Sequence, residues 1–210
     1  MFAIHQNSIQ NYAKQNADNL FQVTQFVLLT IQQPLFNVPT MMQDVNQHGG
    51  NSVYLWGVKR TAWEWHNEHR QEVFDKLMMI DHCHVNPEHL ANEALLYLAS
   101  LSGLGLVKAG FVAQLVLGVA GCLDTHNVAQ YGLKQSAFNA SRFKQAKTAK
   151  TRQALVSNYL ALCARLGGAA GLWDKWCNYV HDKTIANGFT RYNSGFDVSA
   201  MHCTALGLVA

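Results

Sequence analysis

The sequence is organised around the stretch GLGLVKAGFVAQLVLGVAGCLDTH, residues 103–126. Gly103 and Gly105 suit a tight turn between two helices, because glycine reaches positive φ and lets backbones approach closely. The apolar run over residues 109–117 predicts a buried helix, and the glycines after it end that helix. Asp124 follows almost at once, and a carboxylate beside a buried helix is costly unless it is solvated, paired or used in chemistry.

A second helix is predicted directly before the two glycines. Pro87 and Glu88 are typical of a helix start, and apolar residues recur at helical spacing over residues 90–101. The whole unit is therefore a helix, a Gly-x-Gly hairpin, a second helix, a short turn and an aspartate.

This unit resembles the helix-hairpin-helix DNA glycosylase superfamily, of which endonuclease III is the familiar member. The family's Leu-Pro-Gly-x-Gly hairpin corresponds to residues 101–105, and its Val-Asp-Thr-His to residues 123–126. Residues 27–32, VLLTIQ, resemble the family's Val-Leu-Leu-Ser-x-Gln at the end of a core helix. The resemblance runs over residues 18–126 and implies an all-α fold with two lobes and a DNA cleft between them.

We expect one such domain to cover residues 1–210. A basic segment at residues 134–152 and C-terminal helices over residues 154–210 would complete it. No internal repeat divides the chain. We expect the protein to be a monomer.

The resemblance gives roles to individual residues. Asp124 would be the catalytic carboxylate, which stabilises positive charge on the sugar and activates water while the base–sugar bond breaks. An N-cap for the following helix is the structural alternative. Gln32 would enter the duplex beside a flipped nucleotide, and Gln33 could substitute for it. Backbone N–H groups of the hairpin would bind a DNA phosphate. This predicted contact consists of Gly103, Leu104, Gly105 and Val107.

At Lys108 the sequence departs from the family. Bifunctional relatives place a nucleophilic lysine two residues after the second glycine, and Val107 occupies that position here. One residue rotates a side chain by about 100° on a helix. We therefore predict a monofunctional enzyme in which Lys108 contacts phosphate, or covers the helix surface with its charge in water.

Two further side chains, Trp56 and His126, are candidates for the base pocket. Trp56 belongs to residues 54–80, a predicted helix in which tryptophans alternate with basic residues. Aromatic residues beside basic ones can stack on nucleobases. The alternative is an amphipathic helix that turns its tryptophans toward the core.

Residues 134–152 carry basic side chains and no acidic one. Such an excess suits contacts with DNA phosphates, for which Lys144 and Lys147 are candidates. A solvated, mobile basic loop is the alternative. The formal net charge of +3 permits a polyanionic partner without requiring one.

The cysteines argue against a disulfide framework and a four-cysteine metal site, because all five are scattered and none forms a Cys-x-x-Cys pair. The C-terminal cluster motif of many endonuclease III relatives is missing. Residues 81–84, Asp-His-Cys-His, have zinc-ligand types but no second cluster, which favours a turn. We expect no metal, no cofactor and a reducing, cytoplasmic setting.

A membrane partner is not expected from this sequence. Residues 1–19 lack the apolar region of a secretory signal. The longest apolar stretch, residues 101–123, is interrupted by Lys108, Gln114 and several glycines, which favours a buried helix.

These features predict a DNA-repair glycosylase that excises a flipped damaged or modified base from double-stranded DNA. One alternative is a DNA base-modifying transferase on the same fold, as suspected for small phage-encoded relatives that process hypermodified thymine. A second substrate pocket among His66, His69, His82 and His84 would favour it. The other is a non-catalytic DNA-binding protein that uses the hairpin for phosphate contacts only.

Overall fold

The computed structural model describes residues 2–30, 33, 37–134, 140–186, 203 and 205–208. Every regular element in these ranges is helical and none is a strand, which confirms the all-α prediction. The helices are α1 (Phe2–Ala13), α2 (Ala17–Leu29), α3 (Val38–His48), α4 (Val58–Glu68), α5 (Arg70–Cys83), α6 (Pro87–Leu98), α7 (Leu106–Leu117), α8 (Thr125–Gln130), α9 (Ala140–Gln145), α10 (Ala149–Arg165) and α11 (Gly168–Ala186).

Two apolar helices, α2 and α7, form the centre of the fold. They pack against each other, α1 contacts both, α4 and α5 cover α2, and α6 lies beside α7. Nearly every residue of α7 is buried, including Gln114, which donates from Nε2 to the Ala169 carbonyl at 2.7 Å. A continuous core of apolar side chains runs from Ile9 in α1 to Leu206 near the C-terminus.

The predicted helix–hairpin–helix unit is present. Asn86 caps α6, with its Oδ1 accepting the Glu88 backbone N–H at 2.8 Å. Gly103 lies in the turn with φ of +69°, and α7 begins at Leu106. Gly118 ends α7 in the left-handed conformation, also with φ of +69°.

The prediction of one helix over residues 54–80 is wrong. A loop precedes α4, which begins at Val58, and α4 and α5 are separate helices that meet at His69. The break lets each of the two helices pack against α2. The turn predicted at residues 81–84 is also misplaced, because α5 continues through Cys83.

Within the described ranges, no single helix is both long and apolar enough to cross a membrane. The helices α10 and α11 meet that criterion only as a pair, and a bend of 67° separates them.

Candidate active site

Asp124 lies in the turn between α7 and α8, and donors on α8 and α11 are among the groups that orient its carboxylate. Oδ1 accepts the backbone N–H of Asn127 at 3.0 Å, so the predicted N-cap is present. Oδ2 accepts the indole Nε1–H of Trp176, on α11, at 2.9 Å. The side chain is nevertheless partly exposed. The carboxylate is therefore both oriented and accessible.

A buried phenol, Tyr159 on α10, shapes the turn that carries Asp124. Its hydroxyl donates to the Gly121 carbonyl at 2.7 Å and accepts the Leu123 N–H at 3.1 Å. Burial raises the pKa of Tyr159 well above its usual value, so the hydroxyl keeps its proton. A Cβ at Gly110 would lie 2.6 Å from this hydroxyl, which is why α7 needs glycine there. Ala120 adopts φ of +60°, a conformation that alanine rarely takes.

The charges of Lys108 and Asp124 both influence the pKa of one buried thiol, that of Cys122. Burial raises the pKa of Cys122, the Asp124 carboxylate raises it further, and the Lys108 ammonium lowers it. Both charges therefore lie within electrostatic reach of Cys122. Lys108 itself is half-buried, and its Nζ donates to Thr30 Oγ1 at the end of α2 at 3.2 Å.

The predicted phosphate contact is unevenly exposed. Gly103 is exposed, Gly105 is buried and Val107 is half-buried. The Leu104 side chain belongs to the core, so only its backbone could meet a ligand. α7 begins at Leu106, three residues after the exposed Gly103, and the first N–H groups of a helix have no intrahelical partners.

His66 fastens the hairpin to α4. Its Nε2–H donates to the Ser102 carbonyl at 2.9 Å, which places a hydrogen on Nε2 because a carbonyl can only accept. Burial lowers the pKa of His66 to about 4, the hydrogen bond to Ser102 opposes this shift, and His69 lowers the value further. The ring is therefore uncharged near neutral pH.

The basic segment extends to the hairpin's side of the molecule. Lys144 on α9 and Lys147 beyond it are both exposed. Lys147, Arg152 and Ser100 line one surface cavity of about 380 Å³. Since Ser100 lies three residues before Gly103, Lys147 is brought near the start of the hairpin.

The remaining predicted residues are not brought together by any described contact. Gln32 and the side chain of His126 lie outside the described residues. Gln33 is half-buried, and its backbone N–H bonds to the Thr30 carbonyl at 3.4 Å. The Trp56 side chain is 55% exposed, in the loop before α4, so it presents its ring to solvent.

The four histidines considered for a second pocket each have a partner of their own. His66 bonds to Ser102, His69 stacks on Trp65, His82 bonds to the Met78 carbonyl and His84 pairs with Glu93. Among the described residues, no three His, Cys, Asp or Glu side chains are grouped as a metal site requires.

The sequence does not reveal two residues of this region. Trp176 lies 52 residues beyond Asp124, and nothing in its helical context marks it as the carboxylate's donor. Lys59 is only 2% exposed, although a lysine among alternating aromatic and basic residues is predicted to lie on the surface. The sequence feature that points to a special role for Lys59 is its position in a stretch of aromatic and basic residues.

Comparison of the chain with protein-family models, with curated proteins and with solved structures gives no match.

Proposed function

We propose that this protein is a monofunctional DNA glycosylase that hydrolyses the bond between a flipped base and its sugar. The observation that supports it most is the Asp124 carboxylate, which is partly exposed, oriented by Asn127 and Trp176, and located one helix after the hairpin. An oriented carboxylate is the group that stabilises a developing sugar cation and positions water.

The Asp124 carboxylate is partly exposed as well as hydrogen-bonded, so a bound sugar or a water molecule can approach it. An N-cap alone would be served as well by serine, threonine or asparagine, none of which carries a charge. A charged cap with a second fixed donor suits a role at a cation.

Binding of duplex DNA would rely on the hairpin and the basic segment. The N-terminus of α7 offers N–H groups and a positive dipole to one phosphate. Lys147 lies near the start of the hairpin, so it and Lys144 would extend the contact along the strand. We further propose that the helices form two lobes that would enclose the flipped nucleotide, with Gln32 or Gln33 filling the gap that it leaves.

Hydrolysis by this scheme needs no cofactor and no lysine nucleophile. Lys108 bonds to Thr30 and would act as a fixed positive charge near the phosphate. We propose that the protein acts as a monomer and leaves an abasic site without cutting the strand.

The test is to incubate the purified protein with duplexes that carry a panel of damaged or modified bases, and to analyse DNA and supernatant by mass spectrometry. A free base together with an intact abasic strand is the expected result. A mass gain on the base would replace this proposal with a base-modifying transferase. Salt-sensitive binding without any product would replace it with a DNA-binding protein.

A further inference from the structure

Lys59 is a buried lysine whose ammonium has no hydrogen-bond acceptor among the described residues. Only 2% of the residue is exposed, and its Nζ lies 5.6 Å from the centre of the Trp56 ring. A buried ammonium without an acceptor is costly, because the water that it loses is not replaced. The arrangement suits a group that supplies acceptors when it binds.

A second ammonium, that of Lys108, lies within electrostatic reach of the first. Burial lowers the pKa of Lys59, and the positive charge of Lys108 lowers it further. Lys108 spends one of its three N–H donors on Thr30. Within the part of the chain that the structure describes, no carboxylate forms an ion pair with either lysine.

Helix dipoles reinforce this concentration of positive charge. Lys59 is the second residue of α4, and Lys108 is the third residue of α7. Both residues therefore belong to the first turn of a helix, where the backbone N–H groups point outward and favour anions. The hairpin brings the two helices together, since a Cβ at Gly103 would lie 2.2 Å from the Ala62 Cβ on α4.

We propose that Lys59 and Lys108 together bind a phosphate group beside the hairpin. A phosphate carries enough negative charge and enough acceptor oxygens to satisfy two ammonium groups at once, which one carboxylate does less well. Phosphate binding would provide the acceptor that Lys59 lacks.

The phosphate could come from the DNA strand or from a free nucleotide. The first source rests on the DNA-processing function proposed above, whereas the second does not. In the first case the site would hold a phosphate of the bound strand. In the second, the two lysines would bind the phosphate of a small molecule.

The experiment compares wild type with Lys59→Met and Lys108→Met, and uses Lys14→Met as the matched control. Lys14 forms an ion pair with Asp81 and precedes α2 in the chain. Thr30, which accepts from Lys108, follows the end of α2. The 13 residues of this helix span about 20 Å, which separates the control from the site. Titration calorimetry measures binding of inorganic phosphate, of thymidine 5′-monophosphate and of a DNA duplex. Thermal unfolding in phosphate and in chloride at equal ionic strength reports folding.

The expected result is at least a tenfold loss of phosphate or nucleotide affinity in Lys59→Met, and none in Lys14→Met. Phosphate should raise the melting temperature of wild type more than that of Lys59→Met. The unliganded variant should melt at a higher temperature than wild type, because the change removes a desolvated charge. If the DNA strand supplies the phosphate, Lys59→Met loses affinity for the duplex. The slope of log duplex affinity against log salt concentration then falls by about one.

Equal affinities of wild type and Lys59→Met for phosphate, nucleotide and duplex would overturn the phosphate site. This result is independent of base excision. A protein that releases no base but loses phosphate binding in Lys59→Met would contradict the glycosylase proposal and leave the site in place. The reverse outcome would remove the site and keep the glycosylase.

Discussion

His66 is a buried histidine that burial holds in its neutral form. Its Nε2–H holds the Ser102 carbonyl at the hairpin, and burial lowers its pKa to about 4 from the ordinary 6.5. The unfolded chain therefore takes up a proton before the folded protein does. The stabilisation from His66 is complete above pH 6.5 and is lost as the pH falls toward 4.

We predict that His66→Gln flattens the acid side of the stability profile. A shift from 6.5 to about 4 corresponds to a free energy of unfolding of about 3 kcal/mol, lost between these pH values. Glutamine keeps an N–H donor but does not titrate. Urea unfolding from pH 7.5 to 4 measures the difference between the two proteins. Parallel profiles for wild type and variant would show that His66 is not held neutral.

The sequence identifies Asp124 but not its surroundings. The motif pattern marks the aspartate because the hairpin and the Leu-Asp-Thr-His stretch are local in sequence. Trp176 reaches it from α11, and such a contact depends on how distant helices pack. The burial of Lys59 also depends on how distant helices pack, and the sequence alone predicts a surface position for a lysine between aromatic residues.

Gly103 connects the hairpin to α4 through a contact that no other residue allows. Its φ of +69° is in the left-handed region, and an added Cβ would lie 2.2 Å from that of Ala62. The two penalties, backbone strain and a steric clash, can be separated. Gly132 has φ of +61° with nothing within 4 Å of its Cβ position, so it carries the strain alone.

We predict that Gly103→Ala lowers the free energy of unfolding by about 3 kcal/mol or more, whereas Gly132→Ala lowers it by about 1 kcal/mol. Chemical denaturation of both variants measures the difference. In the Gly103→Ala background, Ala62→Gly should restore part of the loss, because it removes the clashing methyl group. Equal losses at the two glycines would show that the hairpin does not press on α4.

The helices differ in how far their sequences predict them. The apolar α2 and α7 are visible from periodicity, and Pro87 marks the start of α6. The polar α1 was not predicted, because its contribution to the core depends on few side chains, such as Ile9 and Ala13. The separation of α4 from α5 at His69 has no glycine or proline to signal it, and packing against α2 decides it.

The charge of the molecule is concentrated where the proposed DNA contact lies. Lys144 and Lys147 are exposed on one segment, and Lys147 shares a cavity with Ser100 before the hairpin. The formal net charge of the whole chain, only +3, does not reveal this local excess of basic side chains. Affinity for DNA should therefore depend on a few positions and on salt.

We predict that the double variant Lys144→Ala, Lys147→Ala binds duplex DNA more weakly and less salt-dependently. Each lost phosphate contact lowers the slope of log affinity against log salt by about 0.9, so the pair lowers it by about 2. Fluorescence anisotropy at several salt concentrations measures both quantities, with Lys14→Ala as control. An unchanged slope would exclude these lysines from the contact.

The most direct measurement is the single-turnover rate of base release by wild type and Asp124→Asn, on a duplex that wild type processes. Asparagine also caps helices, but its amide has one acceptor oxygen and cannot serve both the Asn127 and the Trp176 donors, so the melting temperature of the variant is measured beside its activity. The proposal predicts that the variant binds the duplex with an affinity within threefold of wild type. Its rate of base release should be lower by a factor of about 100 or more. Release at the wild-type rate by a folded Asp124→Asn would contradict the catalytic role of Asp124.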